Sequence, residues 1–460
     1  MSPSELPSAL VDILGSDRVL ASDIDREAHS GDRWFASALP DVVVEAQSTE
    51  DVSRLLQFAS EHSMPVTPRG AGVGYVGGCV PLKGGISLSL AKMNRILEIL
   101  PRDGVAVVQP GVITGTLQAE VAKLGWFYPP DPASLKECSL GGNLATNAGG
   151  PRCLKYGVTR HYALGLKAVL ASGEVVRWGG KCHKNKTGFD LGGLLIGSEG
   201  TLGVITEATL RLIPMPRQRA MISCGFGTFT QAAEAVQLVL SSGYLPSALE
   251  ITDKFVLEAA RSHLGNDVAH GCEAHLLAEI DGSEKAVAAD LADLKALLLE
   301  KAGGLQLTTA TTEAECEALW TLRREFSYSL RATGLTKLNE DVVVPRGRIV
   351  DLAIFAEQLQ HETGIKVACF GHAGDGNLHV NLMVDDMDDP GTKAKADEAL
   401  DRLFRQILDW GGAITGEHGV GIAKKRWFRD AVGENSFQTH LAIKKALDPA
   451  GILNPGKFLG

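Results

Sequence analysis

Glycine is concentrated in three loops of the N-terminal half, and these loops limit the possible folds more than any other feature. The chain has 52 glycines among 460 residues, against about 7% in an average protein. The three glycine-rich segments are residues 68–78, 129–160 and 197–212. One such loop is more often an ordinary turn, but glycine also lets backbone N–H groups approach and bind an anion. Three loops in one region therefore predict a large bound cofactor.

Motif context argues against two common nucleotides. The first loop, PRGAGVGYVGG, is not the Rossmann G-x-G-x-x-G of a strand–helix turn, and it lacks the acidic residue that would bind a ribose. No G-K-[ST] follows it, so it is not a Walker P-loop either. The motifs therefore support neither NAD nor ATP.

Composition and charge exclude several other classes. The 45 basic and 55 acidic residues give a net charge of −10 without a basic stripe, so we do not expect nucleic-acid binding. We expect no signal peptide, because no basic segment precedes an apolar one at the N-terminus, and no membrane span, because no apolar run reaches about 18 residues. Eight scattered cysteines without a C-x-x-C pair predict free thiols in the cytoplasm.

The coarse pattern of elements mixes helices and strands, and it starts as strand, helix, strand and glycine loop, which is an α/β start. Residues 42–44 resemble a strand, and Ser48 with Asp51 predicts the capping box of a following amphipathic helix. Short β runs separated by glycine loops continue to Pro214 and Pro216, after which longer amphipathic helices alternate with strands. The predicted segments are 1–216, 217–411 and a glycine-rich tail, 412–460.

Two histidines flank a turn in the stretch KVACFGHAGDGNLHVNLMV, residues 366–384. Both halves alternate like strands around A-G-D-G-N, so a hairpin would bring His372 and His379 together. Glu417 could supply a third ligand, and two histidines with one carboxylate leave positions open for catalysis. Zn(II), Mn(II) and Fe(II) suit these donors. Spacing alone leaves a second interpretation open, because histidines near a turn are often structural or surface groups.

Two further features surround this hairpin. On the preceding amphipathic segment Arg323 and Ser327 share a helix face, and Lys337 follows in extended chain; the alternative is a solvated basic face. After the hairpin, Glu417 and His418 are neighbours between glycines. Because adjacent side chains of an extended segment point to opposite sides, we expect these two to face in opposite directions.

Four segments together resemble a known flavoprotein family. PRGAGVGYVGG, PPDPAS, GGNLATNAGGPRCLKYGVTRHYALGL and GSEGTLGVITEATLRLIP are similar to the FAD-binding domain of the vanillyl-alcohol oxidase/p-cresol methylhydroxylase superfamily. With the C-terminal motifs, residues 37–460 resemble the group of D-lactate dehydrogenases, glycolate oxidase D-subunits and D-2-hydroxyglutarate dehydrogenases. The resemblance implies a two-subdomain FAD-binding domain and an α+β substrate domain, or cap, with an antiparallel sheet.

The resemblance implies FAD that is bound non-covalently, because the first loop has no histidine to which the flavin could be attached. Val73 and Val76 stand where the family often has hydroxyl residues, so those contacts are not expected here. The residues implied for FAD binding are Pro68, Arg69, Gly70, Ala71, Gly72, Val73, Gly74, Tyr75, Gly78, Pro130, Asp131, Gly141, Gly142, Asn143, Thr146, Asn147, Ala148, Gly149, Tyr156, Gly157, Glu199, Gly200, Gly203, Ile205 and Asn454.

The resemblance also implies an active site in the C-terminal half. Its members of this pattern hold a divalent metal on the residues that match His372, His379 and Glu417, and use the residue that matches His418 as the base. The residues implied to contact the substrate are Arg323, Lys337 and Asn381. The implied reaction is FAD-dependent oxidation of a small D-2-hydroxy acid to the 2-oxo acid, with D-lactate or glycolate favoured over D-2-hydroxyglutarate.

Partners and alternative functions remain open at this point. With no cysteine motif for an iron–sulfur relay, electrons must leave the flavin for an electron-transfer flavoprotein, a quinone, a cytochrome or a partner subunit. A homodimer is one option for the oligomeric state. Two alternatives of other classes are a flavin-free metalloenzyme, which leaves the glycine loops unexplained, and a non-catalytic flavoprotein subunit that relays electrons.

Overall fold

The computed structural model describes residues 5–265 and 267–459, which contacts divide into two compact units. The first unit combines residues 1–149, 158–215 and 417–460, and the second combines 150–157 with 216–416. The segments predicted from the sequence ended at 216 and 411. The structure differs in two ways, because residues 150–157 of the second glycine loop belong to the second unit and that unit extends to residue 416.

The first unit contains three sheets. The strands of the four-stranded sheet, in spatial order, are Val19–Leu20, Val42–Glu45, Ile86–Ser89 and Val66–Arg69, the last three being parallel. The strands of the five-stranded antiparallel sheet are Ile96–Leu100, Val105–Val108, Val204–Arg211, Ala163–Val169 and Val175–Gly179. The two-stranded sheet pairs Trp126–Phe127 with Ile213–Pro214.

The helices of the first unit lie before, between and after these strands in the chain. They are Leu6–Leu14, Asp23–Ala28, Thr49–Glu61, Thr114–Ala122, Leu140–Thr146, Leu191–Leu195, Lys425–Val432 and Glu434–Leu447, with a 3₁₀ turn at Thr159–Tyr162. The helix Thr49–Glu61 begins with the predicted capping box of Ser48 and Asp51. Its buried Leu55 and Leu56 lie in one core cluster with Ile86 of the parallel sheet. Burial of each such side chain contributes about 1.5–3 kcal/mol, which explains why this amphipathic segment docks on the sheet.

The second unit is built on one seven-stranded antiparallel sheet, so the predicted antiparallel cap is confirmed. Its strands, in spatial order, are Gln306–Ala310, Gln218–Phe226, Ala274–Gly282, Ala248–Thr252, Lys366–His372, Asn377–Val384 and Thr336–Val343. Its helices are Cys153–Tyr156, Phe229–Ser241, Lys254–Leu264, Glu284–Ala296, Glu313–Ala332, Ile349–Thr363 and Pro390–Asp409, with a π-helical turn at Leu297–Lys301 and 3₁₀ turns at Arg346–Arg348 and Ala373–Asp375. The helix Glu313–Ala332 carries the predicted Arg323.

The predicted histidine hairpin is confirmed. Lys366–His372 pairs antiparallel with Asn377–Val384, and His372 is opposite Asn377 while Phe370 is opposite His379. Gly376 closes the turn with φ +89°, and a side chain there would collide with the Val344 carbonyl. Glycine is therefore required at this position by both the backbone conformation and the available space.

Length and apolar character together decide whether a helix can cross a bilayer. Among the helices of residues 5–265 and 267–459, none meets both requirements.

Candidate functional site

Strand register gathers the candidate residues on one face of the second unit's sheet. Pairing of Ile251 with Gly371 places Glu250 beside His372 on the neighbouring strand. Because side chains alternate along a strand, His379 and Asn381 lie on the same face as His372. The chain therefore brings together polar residues that are far apart in sequence, on a surface that also receives the helix Glu313–Ala332.

His372 and His379 are neighbours on this face. Their ring centroids are 5.6 Å apart, and both side chains are buried. His372 Nδ1 lies 2.6 Å from Glu250 Oε1, and a carboxylate oxygen only accepts, so Nδ1 carries the proton. Burial alone would raise the pKa of Glu250, but His372 and Arg323 outweigh it by charge and hydrogen bonding, and the pKa falls to about 2. Glu250 is therefore an anion at neutral pH.

Arg323 contacts the same carboxylate. Its Nε donates to Glu250 Oε2 at 2.7 Å, and its Nη2 lies 2.5 Å from the same oxygen. The guanidinium also lies over the Phe370 ring, 4.8 Å from its centroid, and that ring contacts His379. The sequence predicted Arg323 as a carboxylate anchor. In this structure its Nε and Nη2 atoms bind Glu250, and Nη1 is the remaining nitrogen of the guanidinium.

Lys337, Asn339 and Asn381 form a polar patch on the same face, in the two strands at one edge of the sheet. Lys337 Nζ donates to Ser327 Oγ at 2.8 Å, and burial lowers the pKa of Lys337 to about 7. Asn381 is paired in register with Asn339, and it donates its Nδ2 to the Ala368 carbonyl at 2.8 Å. The Oδ1 atoms of both asparagines are buried and have no hydrogen-bond partner among the described residues. These two acceptors suit a ligand that donates hydrogen bonds.

Glu417 completes a set of metal-binding donors. It follows Gly416, whose N–H donates to Asp341 Oδ2 at 2.8 Å, so the peptide bond holds its backbone beside the sheet. One ligand atom each of His372, His379 and Glu417 lies within 4.8 Å of the others. In the tetrahedral geometry that Zn²⁺ prefers, two nitrogen or oxygen ligands lie about 3.4 Å apart, so the three side chains would draw closer together to bind the ion.

His418 lies in a loop of the first unit, and other residues of that unit hold the loop in place. Its ring stacks on Tyr75 with centroids 5.3 Å apart. The buried Glu199 carboxylate accepts the N–H groups of Val420 at 2.7 Å and Gly421 at 2.8 Å. Burial raises the pKa of Glu199 to about 7, although these N–H donors act in the opposite direction. The predicted contact of Glu199 with FAD stays a prediction; its carboxylate holds the loop of His418.

The expectation that Glu417 and His418 face opposite sides is wrong. Glu417 Oε1 lies 3.9 Å from His418 Nε2, so the polar ends of the two side chains approach each other. The reason is that residues 416–418 form a bend rather than an extended strand. The glycines that flank the pair made this bend available.

The three glycine loops meet within the first unit. Ala71 N–H donates to Ser139 Oγ at 3.2 Å, which joins the first loop to the second. Glu199 N–H donates to the Ala145 carbonyl at 2.8 Å, which joins the third loop to the second. A Cβ on Gly70 would lie 2.5 Å from Ser139 Oγ, so glycine is needed for this approach.

A cavity of about 400 Å³ opens where the first and second loops meet. Its lining residues are Gly70, Ala71, Ala91, Asn94, Gly111, Val112, Ile113, Thr116 and Ser139. Small side chains and backbone form most of this lining, and ligand sites typically measure about 300–1,000 Å³. The cavity therefore fits part of a large nucleotide cofactor such as FAD. Gly111 and Ser139 are members of the lining that the sequence analysis missed.

Other residues predicted to bind FAD form hydrogen bonds with residues of their own unit. Arg69 Nη1 donates to the Gly31 carbonyl at 2.6 Å, and Asn143 Nδ2 donates to Thr114 Oγ1 at 2.6 Å. Asn454 Nδ2 donates to the carbonyls of Gly78 and Glu199 at 2.9 and 2.7 Å. These side chains hold the loops in place, and their contacts with FAD remain predictions.

Tyr156 and Gly157 belong to the second unit, unlike the other residues predicted to bind FAD. The Tyr156 hydroxyl donates to Asp281 Oδ2 at 2.7 Å, and Lys155 forms an ion pair with the same carboxylate. In this segment Arg152 also binds the buried Glu279, with Nε 2.8 Å from Oε1. The short segment 150–157 is therefore anchored on the sheet of the second unit.

Glu250 is the most important residue that the sequence analysis missed. It lies in the strand Ala248–Thr252, whose five residues are all buried. A charged residue in the middle of a fully buried strand needs a partner, because an unpaired buried carboxylate is very costly. That signal, in the sequence ALEIT, could have identified Glu250 as part of a polar site, although not its partners.

The glycine loops and their cavity define a nucleotide-cofactor protein with a separate α+β unit that carries the polar site. The family profile described as "FAD binding domain" matches residues 40–179, and that described as "FAD linked oxidases, C-terminal domain" matches residues 215–458. The chain therefore belongs to the FAD-linked oxidases. It is an FAD-linked oxidoreductase, as the sequence predicted.

Similarity to curated proteins extends over the whole chain. The glycolate oxidase subunit GlcD of Bacillus subtilis is 36% identical over 459 residues, which cover 100% of this chain and 97% of that protein. The D-lactate dehydrogenase of Archaeoglobus fulgidus is 37% identical over 419 residues, which cover 91% of each chain. Both names agree with the group that the sequence resembled.

Similarity to solved structures supports the fold. A structure of p-cresol methylhydroxylase with substrate bound superposes with a TM-score of 0.81 at 20% identity, covering 100% of this chain and 98% of that chain. The expected vanillyl-alcohol oxidase/p-cresol methylhydroxylase fold is thereby confirmed.

Proposed function

We propose that this protein oxidises a small D-2-hydroxy acid to the corresponding 2-oxo acid, with D-lactate or glycolate as the favoured substrate and a divalent metal assisting. The observation that carries the proposal is the set of ligand atoms from His372, His379 and Glu417 within 4.8 Å of one another, next to Arg323 and Glu250. Two imidazoles and a carboxylate are donors that Zn(II), Mn(II) and Fe(II) accept.

Each bound group would supply one kind of chemistry. FAD, held by the glycine loops, would supply an acceptor for the hydride of the substrate Cα–H bond. A divalent metal on the three donors would act as a Lewis acid that acidifies the substrate hydroxyl.

The side chains of this chain would bind the substrate and take its hydroxyl proton. His418 would take the hydroxyl proton, a contribution of about 10²–10⁴-fold for a well-placed general base. Its ring is held against Tyr75, so the imidazole has a fixed orientation. The Nη1 end of Arg323 and the ammonium of Lys337 would bind the substrate carboxylate, which needs cationic partners when it leaves water. Asn381 would offer its buried Oδ1 as a hydrogen-bond acceptor.

D-2-hydroxyglutarate is the second candidate substrate. The ammonium of Lys337, which donates to Ser327 Oγ at 2.8 Å, is a second cation of the site besides the guanidinium of Arg323. A second carboxylate on the substrate would have Lys337 as its partner, while Arg323 bound the first. Lys337→Met would then lower the activity on D-2-hydroxyglutarate far more than it lowers the activity on D-lactate.

Electrons would leave the reduced flavin for an external acceptor. The eight cysteines are free thiols. An electron-transfer flavoprotein, a quinone, a cytochrome or a partner subunit could serve. We propose a cytoplasmic location, as the free thiols suggest.

The test is a substrate panel with an artificial electron-accepting dye. D-lactate, L-lactate, glycolate and D-2-hydroxyglutarate are each supplied to the purified flavoprotein, and dye reduction is followed. We expect turnover with D-lactate or glycolate and none with L-lactate. A yellow protein that reduces the dye with none of these acids would contradict the proposal and would favour a subunit that only relays electrons.

A further inference from the structure

Glu250 contacts both the metal-binding set, through His372, and the carboxylate anchor Arg323. Its side chain is 1% exposed, so it is sealed from solvent. Oε1 accepts from His372 Nδ1 at 2.6 Å. Oε2 accepts from Arg323 Nε at 2.7 Å and lies 2.5 Å from Arg323 Nη2. One carboxylate therefore fixes the orientation of two side chains that come from different elements.

We propose that Glu250 is a positioning residue, which holds His372 in the tautomer and ring orientation that binds the metal and at the same time aims Arg323 at the substrate. This inference rests on the proposed function, because it assumes the metal on His372, His379 and Glu417. It adds Glu250 to the site. Glu250 lies 122 residues before His372 in the chain, in the strand Ala248–Thr252, which holds no other residue of the site.

The first part of the inference follows from the chemistry of imidazole. A neutral histidine has one N–H and one lone pair, so a proton held on Nδ1 leaves the lone pair on Nε2. A carboxylate that accepts this N–H also makes the imidazole a stronger donor to a metal. Register supports the arrangement, because Glu250 and His372 lie side by side on paired strands and neither needs a long flexible reach.

The second part follows from the geometry of the guanidinium. Two of its three nitrogens, Nε and Nη2, lie against the same Glu250 oxygen, which fixes the plane of the group. The Phe370 ring under this plane, 4.8 Å from Arg323 Cζ, limits rotation further. Nη1 is then held at one position, so a substrate carboxylate would meet a donor that is already oriented.

The sheet provides a matched control in Glu279. This residue is also 1% exposed, and it lies in the strand Ala274–Gly282 next to that of Glu250. It accepts from Arg152 Nε at 2.8 Å and from Trp320 Nε1 at 2.6 Å. Glu279 is thus as buried as Glu250 and also binds an arginine, but it binds no histidine of the metal-binding set. The variant Glu279→Gln therefore measures how the loss of a buried carboxylate from this sheet affects stability.

The experiment measures Zn²⁺ affinity rather than turnover. Purified full-length flavoprotein is stripped of metal, and Zn²⁺ binding is measured by competition with a fluorescent chelator for the wild type, Glu250→Gln and Glu279→Gln. We expect Zn²⁺ to bind about 10–100-fold more weakly to Glu250→Gln, in which a neutral amide replaces the carboxylate that orients His372, and with wild-type affinity to Glu279→Gln. Flavin content and Tm, recorded for each variant, show that it is folded.

A double variant keeps the test valid if Glu250→Gln alone does not fold, because that change leaves Arg323 buried without its partner. Glu250→Gln with Arg323→Met removes both charges, and we expect the same loss of Zn²⁺ affinity in it. Wild-type affinity in either folded variant would overturn the inference while the proposed metal site stood. A wild-type protein that binds no Zn²⁺, Mn²⁺ or Fe²⁺ would overturn the metal-dependent function and this inference together.

Discussion

The Gly419→Ala substitution tests whether the loop of His418 is held as closely as the structure indicates. Gly419 has φ +89°, and a Cβ there would lie 2.8 Å from Glu199 Oε1. An alanine in the left-handed region costs about 1–2 kcal/mol. Ordinary contact begins at 3.4 Å, so the loop or the carboxylate must move by about 0.6 Å.

This movement acts on the hydrogen bonds that hold the loop. Glu199 accepts the N–H groups of Val420 and Gly421, and loss of one such bond to a charged group costs about 1.5–3 kcal/mol. A displacement of about 1 Å at a catalytic group can lower the rate about 100-fold. For the smaller movement here we expect kcat to fall about 10–100-fold.

Gly364→Ala is the control. Gly364 ends the helix Ile349–Thr363 in the left-handed region, with φ +71° and ψ 3°, and no atom of the described residues lies within 4 Å of its added Cβ. The control should lose the same 1–2 kcal/mol for backbone strain and keep its kcat. Dye-linked turnover and Tm of both variants are compared with the wild type. Gly419→Ala with the kcat and Tm of the control would refute the account of this loop.

Three further predictions concern the site itself. His418→Gln should lower kcat about 10²–10⁴-fold with flavin and metal content unchanged, as steady-state turnover and metal analysis would show. Burial lowers the pKa of Lys337 to about 7, so its ammonium is charged below that pH and neutral above it. We therefore expect kcat/KM to fall as pH rises through about 7, and Lys337→Met to have a raised KM and no such fall. Chelation should abolish turnover until Zn²⁺, Mn²⁺ or Fe²⁺ is restored, and restoration should fail in His379→Gln.

Each of these predictions has an outcome that contradicts it. Wild-type turnover of His418→Gln would remove this residue from the proton transfer. An alkaline fall that persists in Lys337→Met would assign the titration to another group. Full activity after exhaustive chelation, with metal analysis confirming removal, would show that the donor cluster is structural.

The sequence predicted the parts of the fold that local patterns control. The capping box of Ser48 and Asp51, and the hairpin with its A-G-D-G-N turn, follow from neighbouring residues, and the structure confirms both. The closeness of His372 and His379 also followed, because a hairpin register is set by its turn. These features need no information from distant parts of the chain.

Long-range pairing decided what the sequence could not predict. Glu250 is 122 residues before His372, and only the order of strands in the sheet makes them neighbours. The two nitrogens of Arg323 that bind Glu250 could not be foreseen for the same reason. The opposite directions expected for Glu417 and His418 assumed an extended segment, whereas the glycines on either side allow a bend.

The most direct test of the central claim is reduction of the bound flavin by substrate without oxygen or dye. D-lactate and glycolate are mixed anaerobically with the purified protein, with L-lactate as the control, and the flavin absorbance is followed before and after metal removal. The account predicts rapid bleaching by D-lactate or glycolate that disappears on chelation and returns with added metal. Bleaching that is unaffected by complete metal removal, or no bleaching by any hydroxy acid, would contradict it.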